Sequence, residues 1–394
     1  MGAPFDSCRL EPVLFLRYLF SSASLTLLAL SISTPAFAQY NSAAPHAVIM
    51  DFETGQILYE KNARQPMAPA SMTKIMTVEM VLEAIKSGNL SLDAKFTVSE
   101  EAWRRGGTKS GSSTMFLKLG SQVRVEDLLR GAIIQSGNDA CITLAEGLAG
   151  SEDGFAAQMS ARAKTLGLES ATFRNSTGWP HPEHEISAVD LASLSRHLIS
   201  EHAEFYPIYS ERSFTWNGIT QSNRNPLLGK LTGADGIKTG STEASGFGLV
   251  GSAKRGDDRR IIVINGLANK AERQAESLAL MEAAFSQFQI YNLYKSAQVI
   301  GEVDVYMGKS ATVPAALGED IKMGLHISQR GSTSAKVEYV TAVAPIAKGD
   351  KIAELVISAP GKDTQRYPLF ATQDVKAKSL FGKAWTSLLN KIRG

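Results

Sequence analysis

The order of the predicted strands and helices is the feature that most restricts the fold of this chain. The predicted strands are Ala47–Met50, Gln56–Tyr59, Gly236–Thr239, Phe247–Ser252 and Arg260–Asn265. Helical patterns fill the chain between the second and third strands, among them 125–135, 139–148, 155–166 and 188–200. A long amphipathic helix, Ala271–Gln289, follows the last strand. Short connections between the last three strands imply antiparallel neighbours. Strands at both ends of a helical middle therefore predict an α+β domain, in which helices flank one antiparallel sheet.

The pattern changes after about Tyr294. Apolar and polar residues alternate in short runs, such as 321–327, 336–343 and 352–357, which predict a small all-β domain over residues 295–372. The last segment, 373–394, is predicted to be an amphipathic helix. Its apolar residues gather on one face at 100° per residue, and they are Leu380, Phe381, Ala384, Trp385, Leu388, Leu389 and Ile392.

The basic composition of the C-terminal segment indicates a membrane surface as its partner. From Asp374 onward it carries five basic residues and one acidic residue. It is too polar to span a bilayer, but its pattern is typical of a helix that lies in the interface. The alternative is a helix docked on the β domain.

The first 38 residues are predicted to be a removable signal peptide. Arg9 and Arg17 precede the apolar run Leu19–Ile32, which is short for a membrane span, and Ala36-Phe37-Ala38 is an A-x-A cleavage motif. Residues 39–294 then form the α+β domain. The protein is expected to be exported.

Composition excludes several classes of function. The net charge of +2 argues against nucleic acid as a partner. Cleavage of the signal would leave Cys141 as the single cysteine, so no internal disulfide could form and the fold must depend on its core. The six histidines show no metal-ligand spacing such as H-E-x-x-H, so we predict no metal and no cofactor.

The stretch Pro69–Lys74 carries the predicted chemistry. Ser71 begins a helical pattern, and it is the only serine with a lysine three residues later. Residues three apart share a helix face, so the Lys74 amine can reach the Ser71 hydroxyl. The positive end of the helix dipole also favours the alkoxide-like oxygen of an activated nucleophile. Alone, an S-x-x-K motif is more often an N-cap serine beside a solvated lysine.

Two further motifs strengthen the functional interpretation. Ser136-Gly137-Asn138 interrupts two helical segments, and Lys238-Thr239-Gly240 lies on a predicted strand. A second S-G-N triplet, at 87–89, instead marks the end of the first helix, where its glycine suits a left-handed cap. The combination of three motifs with an export signal therefore favours one catalytic site.

The residue types assign the steps of an acyl transfer. Ser71 would attack a carbonyl carbon, and Lys74 would accept the proton of Ser71 once burial and the nearby Lys238 lower the pKa of its amine. Ser136 can pass this proton to the leaving amine. The amide of Asn138 can hold Lys74 and the substrate backbone.

The K-T-G strand would bind the substrate. Lys238 and Thr239 lie on a strand edge, where a peptide can add as a further strand, and Gly240 permits a close approach of the substrate. The backbone N–H groups of Ser71 and Ser241 would form the oxyanion hole.

These motifs and their flanking sequences resemble those of the D-alanyl-D-alanine carboxypeptidases, which are low-molecular-mass penicillin-binding proteins of the serine D,D-peptidase family. The matching stretches are 51–55, 59–62, 69–77, 111–113, 115–117, 135–141, 223–225 and 235–240. The resemblance implies a β-lactamase/D,D-peptidase-like fold and removal of the terminal D-Ala from peptidoglycan stem pentapeptides. It also implies inhibition by β-lactams through a slowly hydrolysed acyl-enzyme, and a periplasmic or cell-surface location. Together with the amphipathic C-terminal segment, this leads us to expect a peripheral location on the periplasmic face of the inner membrane.

The resemblance also places two residues at the substrate. Arg224 would lie near the terminal carboxylate, and a solvated surface arginine is the alternative. Ser241 follows K-T-G where several relatives carry His, which bears on the deacylation rate and its pH dependence.

Three alternative functions remain to be compared. A β-lactamase would need a carboxylate base in an E-x-x-L-N block, and no such block lies between Asn138 and Lys238. A D,D-endopeptidase that cuts peptidoglycan crosslinks shares all three motifs, although such relatives tend to lack the β domain and the terminal helix. A non-catalytic wall-binding protein is disfavoured, because every chemical residue is present.

Overall fold

The computed structural model describes residues 40–380 of the chain. The predicted signal peptide and residues 381–394 of the predicted C-terminal helix lie outside the described residues. Among the described helices, none combines the length and apolar character that a membrane span requires.

A five-stranded antiparallel sheet lies at the centre of the first domain, in the strand order β2-β1-β11-β10-β9. The strands of this domain are β1 His46–Asp51, β2 Ile57–Lys61, β3 Pro66–Met67, β4 Lys95–Thr97, β5 Gln122–Arg124, β6 Ile186–Ser187, β7 Ser213–Trp216, β8 Ile219–Ser222, β9 Ala234–Thr242, β10 Gly246–Arg255 and β11 Asp258–Leu267. All five predicted strands lie in the central sheet. The short pairs β3–β6, β4–β5 and β7–β8 were not predicted.

Helices cover both faces of this sheet. They are α1 Lys74–Lys86, α2 Val125–Ile133, α3 Asn138–Ala149, α4 Glu152–Thr165, α5 Ala188–Glu201 and α6 Lys270–Ser286. Alternate residues of β11 face opposite sides: Ile261 and Val263 pack in the core with α1 to α5, whereas Ile262 and Ile264 pack with α6. Burial on both faces explains why these strands are continuous apolar runs.

The end of α6 differs from the prediction, which continued the helix to Gln289. The helix ends at Ser286, and Phe288 begins a strand that pairs with His326 of the second domain. Phe288 is buried in the core beneath α6. Pairing with a distant strand therefore overrides the local helical pattern.

The second domain is all-β. Its strands are β12 Phe288–Tyr294, β13 Val299–Tyr306, β14 Thr312–Leu317, β15 Ile321–His326, β16 Ser334–Glu338, β17 Ala342–Val343, β18 Lys351–Ser358 and β19 Gln365–Ala371. Six of them form a sheet in the order β16-β18-β19-β14-β13-β17, and β12 pairs with β15. The predicted fold class, an α+β domain followed by a small all-β domain, is confirmed.

The segment after β19 pairs with strands and loops of the β domain. Val375 and Ala377 form isolated bridges with Ile346 and Gly308, and the first helical residue is Leu380. Residues 373–379 are therefore not helical, contrary to the prediction, because part of their backbone is paired with the β domain.

A polar junction connects the two domains. The side chain of Gln56 acts like a strand residue: its Nε2 donates to the Lys322 carbonyl oxygen and its Oε1 accepts from the Gly324 N–H, both at 2.7 Å. Lys362 donates to the carbonyl oxygen of Ile57 at 2.7 Å. A Cβ at Gly324 would lie 2.2 Å from a Leu58 methyl carbon, so a larger residue here would force the Leu58 side chain to move.

Candidate active site

Ser71 lies in a 3₁₀ turn, Ala70–Thr73, that leads directly into α1. Ala70 has a φ of 48°, a left-handed conformation that non-glycine residues adopt mainly at functional or strained positions. The Lys74 Nζ donates to the Ser71 Oγ at 2.8 Å, and a second bond of 2.6 Å joins it to the Thr177 carbonyl oxygen. The turn therefore presents the serine hydroxyl to a buried lysine.

Burial changes the charge of Lys74. Its side chain is 1% exposed, and this desolvation, together with the positive charge of Arg224, lowers the pKa of the amine from 10.5 to about 8. Cys141, Glu152 and Asp139 oppose the shift. Because pH 7 is one unit below this pKa, about a tenth of the molecules carry Lys74 as a neutral amine at that pH.

Ser136 forms a second serine–lysine pair. Lys238 Nζ donates to Ser136 Oγ at 2.9 Å, and both residues are buried. Burial, and next the charge of Lys74, lower the pKa of Lys238 well below its ordinary value. Because the Ser136 oxygen accepts this hydrogen bond, the Ser136 hydroxyl hydrogen remains available for donation to another group.

Asn138 does not make the contact predicted for it. Among the described hydrogen bonds, its Nδ2 donates to Ser112 Oγ at 2.9 Å rather than acting on Lys74. The Asn138 carbonyl oxygen is buried without a described partner. The described hydrogen bonds of the Lys74 amine go instead to Ser71 and to the carbonyl oxygen of Thr177.

The K-T-G motif lies on β9, the outer strand of the central sheet. Thr239 is buried, Ser241 is exposed, and Gly240 lies opposite Gly248 of β10. A Cβ at Gly240 would lie 2.8 Å from the Pro69 carbonyl oxygen. The close approach at Gly240 is therefore to the turn before Ser71, which brings the strand edge against the nucleophile.

Most of the predicted site residues line an open cleft of about 500 Å³. Its lining includes the predicted Ser71, Ser136, Arg224, Thr239, Gly240 and Ser241. Arg224 donates to the hydroxyl of Ser113, which also lines the cleft. Lys74, Lys238 and Asn138 are buried beside these residues and do not line the cleft themselves.

Two cations of the cleft were missed by the sequence reasoning. Lys270 and Arg273 belong to the first turn of α6, and both line the cleft. Arg273 is buried, and burial, with the nearby Arg224, lowers the pKa of its guanidinium. In the sequence they resemble the polar face of an amphipathic helix, and only the fold brings them to β9.

The loop that holds Lys74 was also missed. Asn175 Oδ1 accepts from the backbone N–H groups of Thr177 and Gly178, at 3.2 and 2.7 Å. Glu152 accepts from the N–H and the hydroxyl of Ser176, at 3.1 and 2.7 Å. These bonds fix the Thr177 carbonyl oxygen against Lys74. A signal for this loop exists in the polar cluster Asn175–Gly178, which separates two predicted helices.

One group within residues 40–380 has the composition of a metal site. Glu79 is fully buried, and its carboxylate accepts from His197 at 3.1 Å and from His202 at 2.9 Å. Arg162 also donates to this carboxylate, at 2.9 Å. Since an arginine already neutralises the acid, we interpret the group as a buried ion cluster that ties α1 to α4 and α5.

A serine whose proton a partly neutral lysine can accept, at the open edge of a sheet and among cations, is suited to acyl transfer from an anionic substrate. The fold and the cleft together define a serine hydrolase.

Comparison with known proteins identifies the family. Residues 33–269 match the family model for D-alanyl-D-alanine carboxypeptidase, and residues 288–377 match that for the C-terminal domain of penicillin-binding protein 5. The D-alanyl-D-alanine carboxypeptidase DacD of Salmonella typhimurium is 36% identical over 94% of this chain and 98% of its own length. The chain belongs to the D-alanyl-D-alanine carboxypeptidase family.

Solved structures agree with this assignment. The crystal structure of D-alanyl-D-alanine carboxypeptidase DacD from Francisella tularensis has a TM-score of 0.78 and 31% identity, over 86% of this chain and 95% of that chain. The ampicillin-bound penicillin-binding protein D2 of Listeria monocytogenes has a TM-score of 0.55 and 31% identity, over 63% of this chain and 99% of that chain.

Proposed function

We propose that this enzyme removes the terminal D-Ala from peptidoglycan stem pentapeptides through an acyl-enzyme on Ser71. The observation that carries the proposal is the 2.8 Å bond between Ser71 Oγ and the buried Lys74 amine, at a cationic cleft beside an outer strand. Membership of the carboxypeptidase family supports the substrate class.

Acylation begins when neutral Lys74 accepts the Ser71 proton and the Ser71 oxygen attacks the carbonyl carbon between the two D-Ala residues. The substrate backbone adds to the free edge of β9 as a strand. The N–H groups of Ser71 and Ser241 stabilise the oxyanion, a contribution of about 2.7–4 kcal/mol per donor. Arg224 and Thr239 bind the terminal carboxylate.

Departure of D-Ala requires a proton on its nitrogen. Ser136 donates its hydroxyl hydrogen to this nitrogen and regains a proton from Lys238, to which it is bonded at 2.9 Å. Water then hydrolyses the ester on Ser71: it gives one proton to the neutral Lys238 amine, its hydroxide adds to the acyl carbon, and the leaving Ser71 oxygen takes its proton back from Lys74. A β-lactam would acylate Ser71 in the same way and would leave a slowly hydrolysed acyl-enzyme. The ampicillin-bound structure of the Listeria relative supports β-lactams as ligands of such a cleft.

Replacement of the nucleophile tests this proposal. Ser71→Ala should abolish both D-Ala release from a stem pentapeptide and covalent labelling by a fluorescent penicillin. Ser87→Ala, in the second S-G-N triplet at the end of α1, is the matched control and should retain both. Covalent labelling of the Ser71→Ala variant would refute the mechanism. A crosslinked dimer assayed in parallel separates carboxypeptidase from endopeptidase activity.

We also infer that the protein is exported and lies peripherally on the periplasmic face of the inner membrane. The signal-like residues 1–38 and the basic amphipathic pattern of the C-terminal segment support this location. Burial of each large apolar side chain contributes at most about 1.5–3 kcal/mol to the free energy of membrane binding. Each basic residue near anionic lipid adds about 1 kcal/mol.

Truncation tests the anchor. Because Val375 and Ala377 pair with the β domain, the shortened protein should end at Ser379. It should keep its activity on small substrates but fail to sediment with anionic vesicles that bind the longer form. Neutral vesicles provide the control for charge. Equal sedimentation of both forms would refute the anchor and favour a helix docked on the β domain.

A further inference from the structure

The first turn of α6 places positive charge where a helix disfavours it. Lys270 is the first residue of this 17-residue helix, and Arg273 is the fourth. The N-terminal end of a helix carries a partial positive charge, so cations there are destabilising. Residues that violate a local stability rule are most often found at functional sites.

No carboxylate in the described part of the chain neutralises these cations. Glu272, which lies between them, turns back to the helix start, where it accepts from the Ala268 N–H at 3.1 Å and from the Asn269 amide at 2.7 Å. Lys270 is exposed and has no described ion pair. The Nε of Arg273 is buried without a described partner. The lining of the cleft includes no acidic residue.

The positive charge of the cleft exceeds what one terminal carboxylate requires. Arg224 and Arg273 lie close enough for one charge to act on the other, and both line the cleft. Two guanidinium groups suit a single carboxylate, which they can bind through paired hydrogen bonds. Lys270 is a third cation on the same cleft, and it is solvent-exposed whereas Arg273 is buried. A second anionic group on the substrate would explain it.

We propose that Lys270 forms a subsite for a second carboxylate of the substrate, carried either by the residue that precedes the D-Ala-D-Ala pair or by the leaving residue. The inference rests on the proposed carboxypeptidase function and adds a preference among its substrates: peptides that end in two D-residues and bear an additional acidic side chain. Lys270 is then a specificity residue and takes no part in proton transfer.

Matched peptide pairs test this subsite. In the first pair, the residue before D-Ala-D-Ala is either Glu or Gln. In the second pair, the leaving residue is either D-Glu or D-Gln in place of D-Ala. The quantity measured is the ratio of kcat/KM for the acid to kcat/KM for its amide. The unaltered protein should prefer the acid at least fivefold in one pair, and that pair identifies the side of the scissile bond.

Substitutions at Lys270 should change this ratio through KM. Lys270→Ala should bring it below 2, Lys270→Glu should bring it below 1, and Lys270→Arg should keep it close to that of the unaltered protein. Lys254→Ala, at an exposed lysine of β10 outside the cleft lining, is the control and should leave the ratio unchanged. Rising salt should weaken the preference, because an exposed charge pair is screened.

The possible outcomes distinguish the inference from the function it rests on. Release of the D-residue with equal ratios in unaltered protein and Lys270→Ala, in both pairs, would overturn the subsite and leave the carboxypeptidase activity standing. Absence of release from every peptide, and from D-Ala-D-Ala peptides in particular, would overturn the activity itself and the subsite with it.

Discussion

The pH dependence of acylation follows from the buried position of Lys74. Only the neutral amine accepts the Ser71 proton, so the acylation rate should rise as pH passes upward through the pKa of Lys74. With a pKa of about 8, the neutral fraction is about 0.09 at pH 7 and about 0.91 at pH 9. The neutral fraction of Lys74 therefore rises about tenfold over this range and then levels off, and the acylation rate follows it while Lys238 keeps the proton that it supplies to Ser136. An ordinary pKa of 10.5 would instead give about a hundredfold rise without a plateau.

Two conservative substitutions should move this profile in opposite directions. Arg224 lowers the pKa of Lys74, so Arg224→Gln should shift the midpoint to higher pH. Glu152 raises it, so Glu152→Gln should shift the midpoint to lower pH, while the Gln carbonyl oxygen can still accept from Ser176. The midpoint is independent of any loss in maximal rate from weaker binding.

The assay is the second-order rate of labelling by a fluorescent penicillin, followed by stopped flow from pH 5.5 to 10 at constant ionic strength. Intact fold at each pH is checked by circular dichroism. A midpoint below about 6 or above about 10 would refute the role of Lys74 as a buried base. Shifts of the same sign in the two variants would show that the charges of Arg224 and Glu152 do not control it.

Other substitutions test the scaffold around the site. Lys238→Ala should slow acylation about hundredfold or more, because it removes the proton source of Ser136, with little change in unfolding temperature; acylation within a few-fold of the unaltered rate would make Lys238 structural. Gly178→Ala should lower the free energy of unfolding by about 2 kcal/mol or more in urea titrations, because a Cβ would lie 1.8 Å from the Ala70 carbonyl oxygen at a φ of 84°. Gly88→Ala, at a φ of 76° with open space, should lose only about 1 kcal/mol. Gln56→Ala should speed amide hydrogen exchange at Gly324, and unchanged exchange there would show that the junction does not depend on this side chain.

Much of the fold follows from local sequence patterns. The strands of the central sheet are apolar runs bounded by turn residues, and they form the predicted sheet. The predicted helices near 125–135, 139–148, 155–166 and 188–200 correspond to α2, α3, α4 and α5, with ends that differ by a few residues. These elements were predictable because each buries an apolar face whose period is visible in the chain.

Contacts between distant segments explain what the sequence did not show. Thr177 reaches Lys74 across 103 positions, and the bond uses its carbonyl oxygen, so the identity of its side chain gives no signal. Lys270 and Arg273 lie at the cleft only because α6, which follows β11 in the chain, begins beside the outer strand β9. The end of α6 was misplaced for the same reason, since the partner of Phe288 is 38 residues away.

The outer position of β9 has a consequence for association between molecules. A long outer strand with unpaired backbone groups is a template for pairing with another chain, and proteins usually protect such edges with charge or a covering element. An enzyme that binds its substrate as an added strand must leave this edge open. Two copies that met edge to edge would bring two sets of Arg224, Lys270 and Arg273 together, and their repulsion would oppose the contact. Positive charge that favours an anionic peptide in the cleft would thus disfavour a second enzyme molecule there.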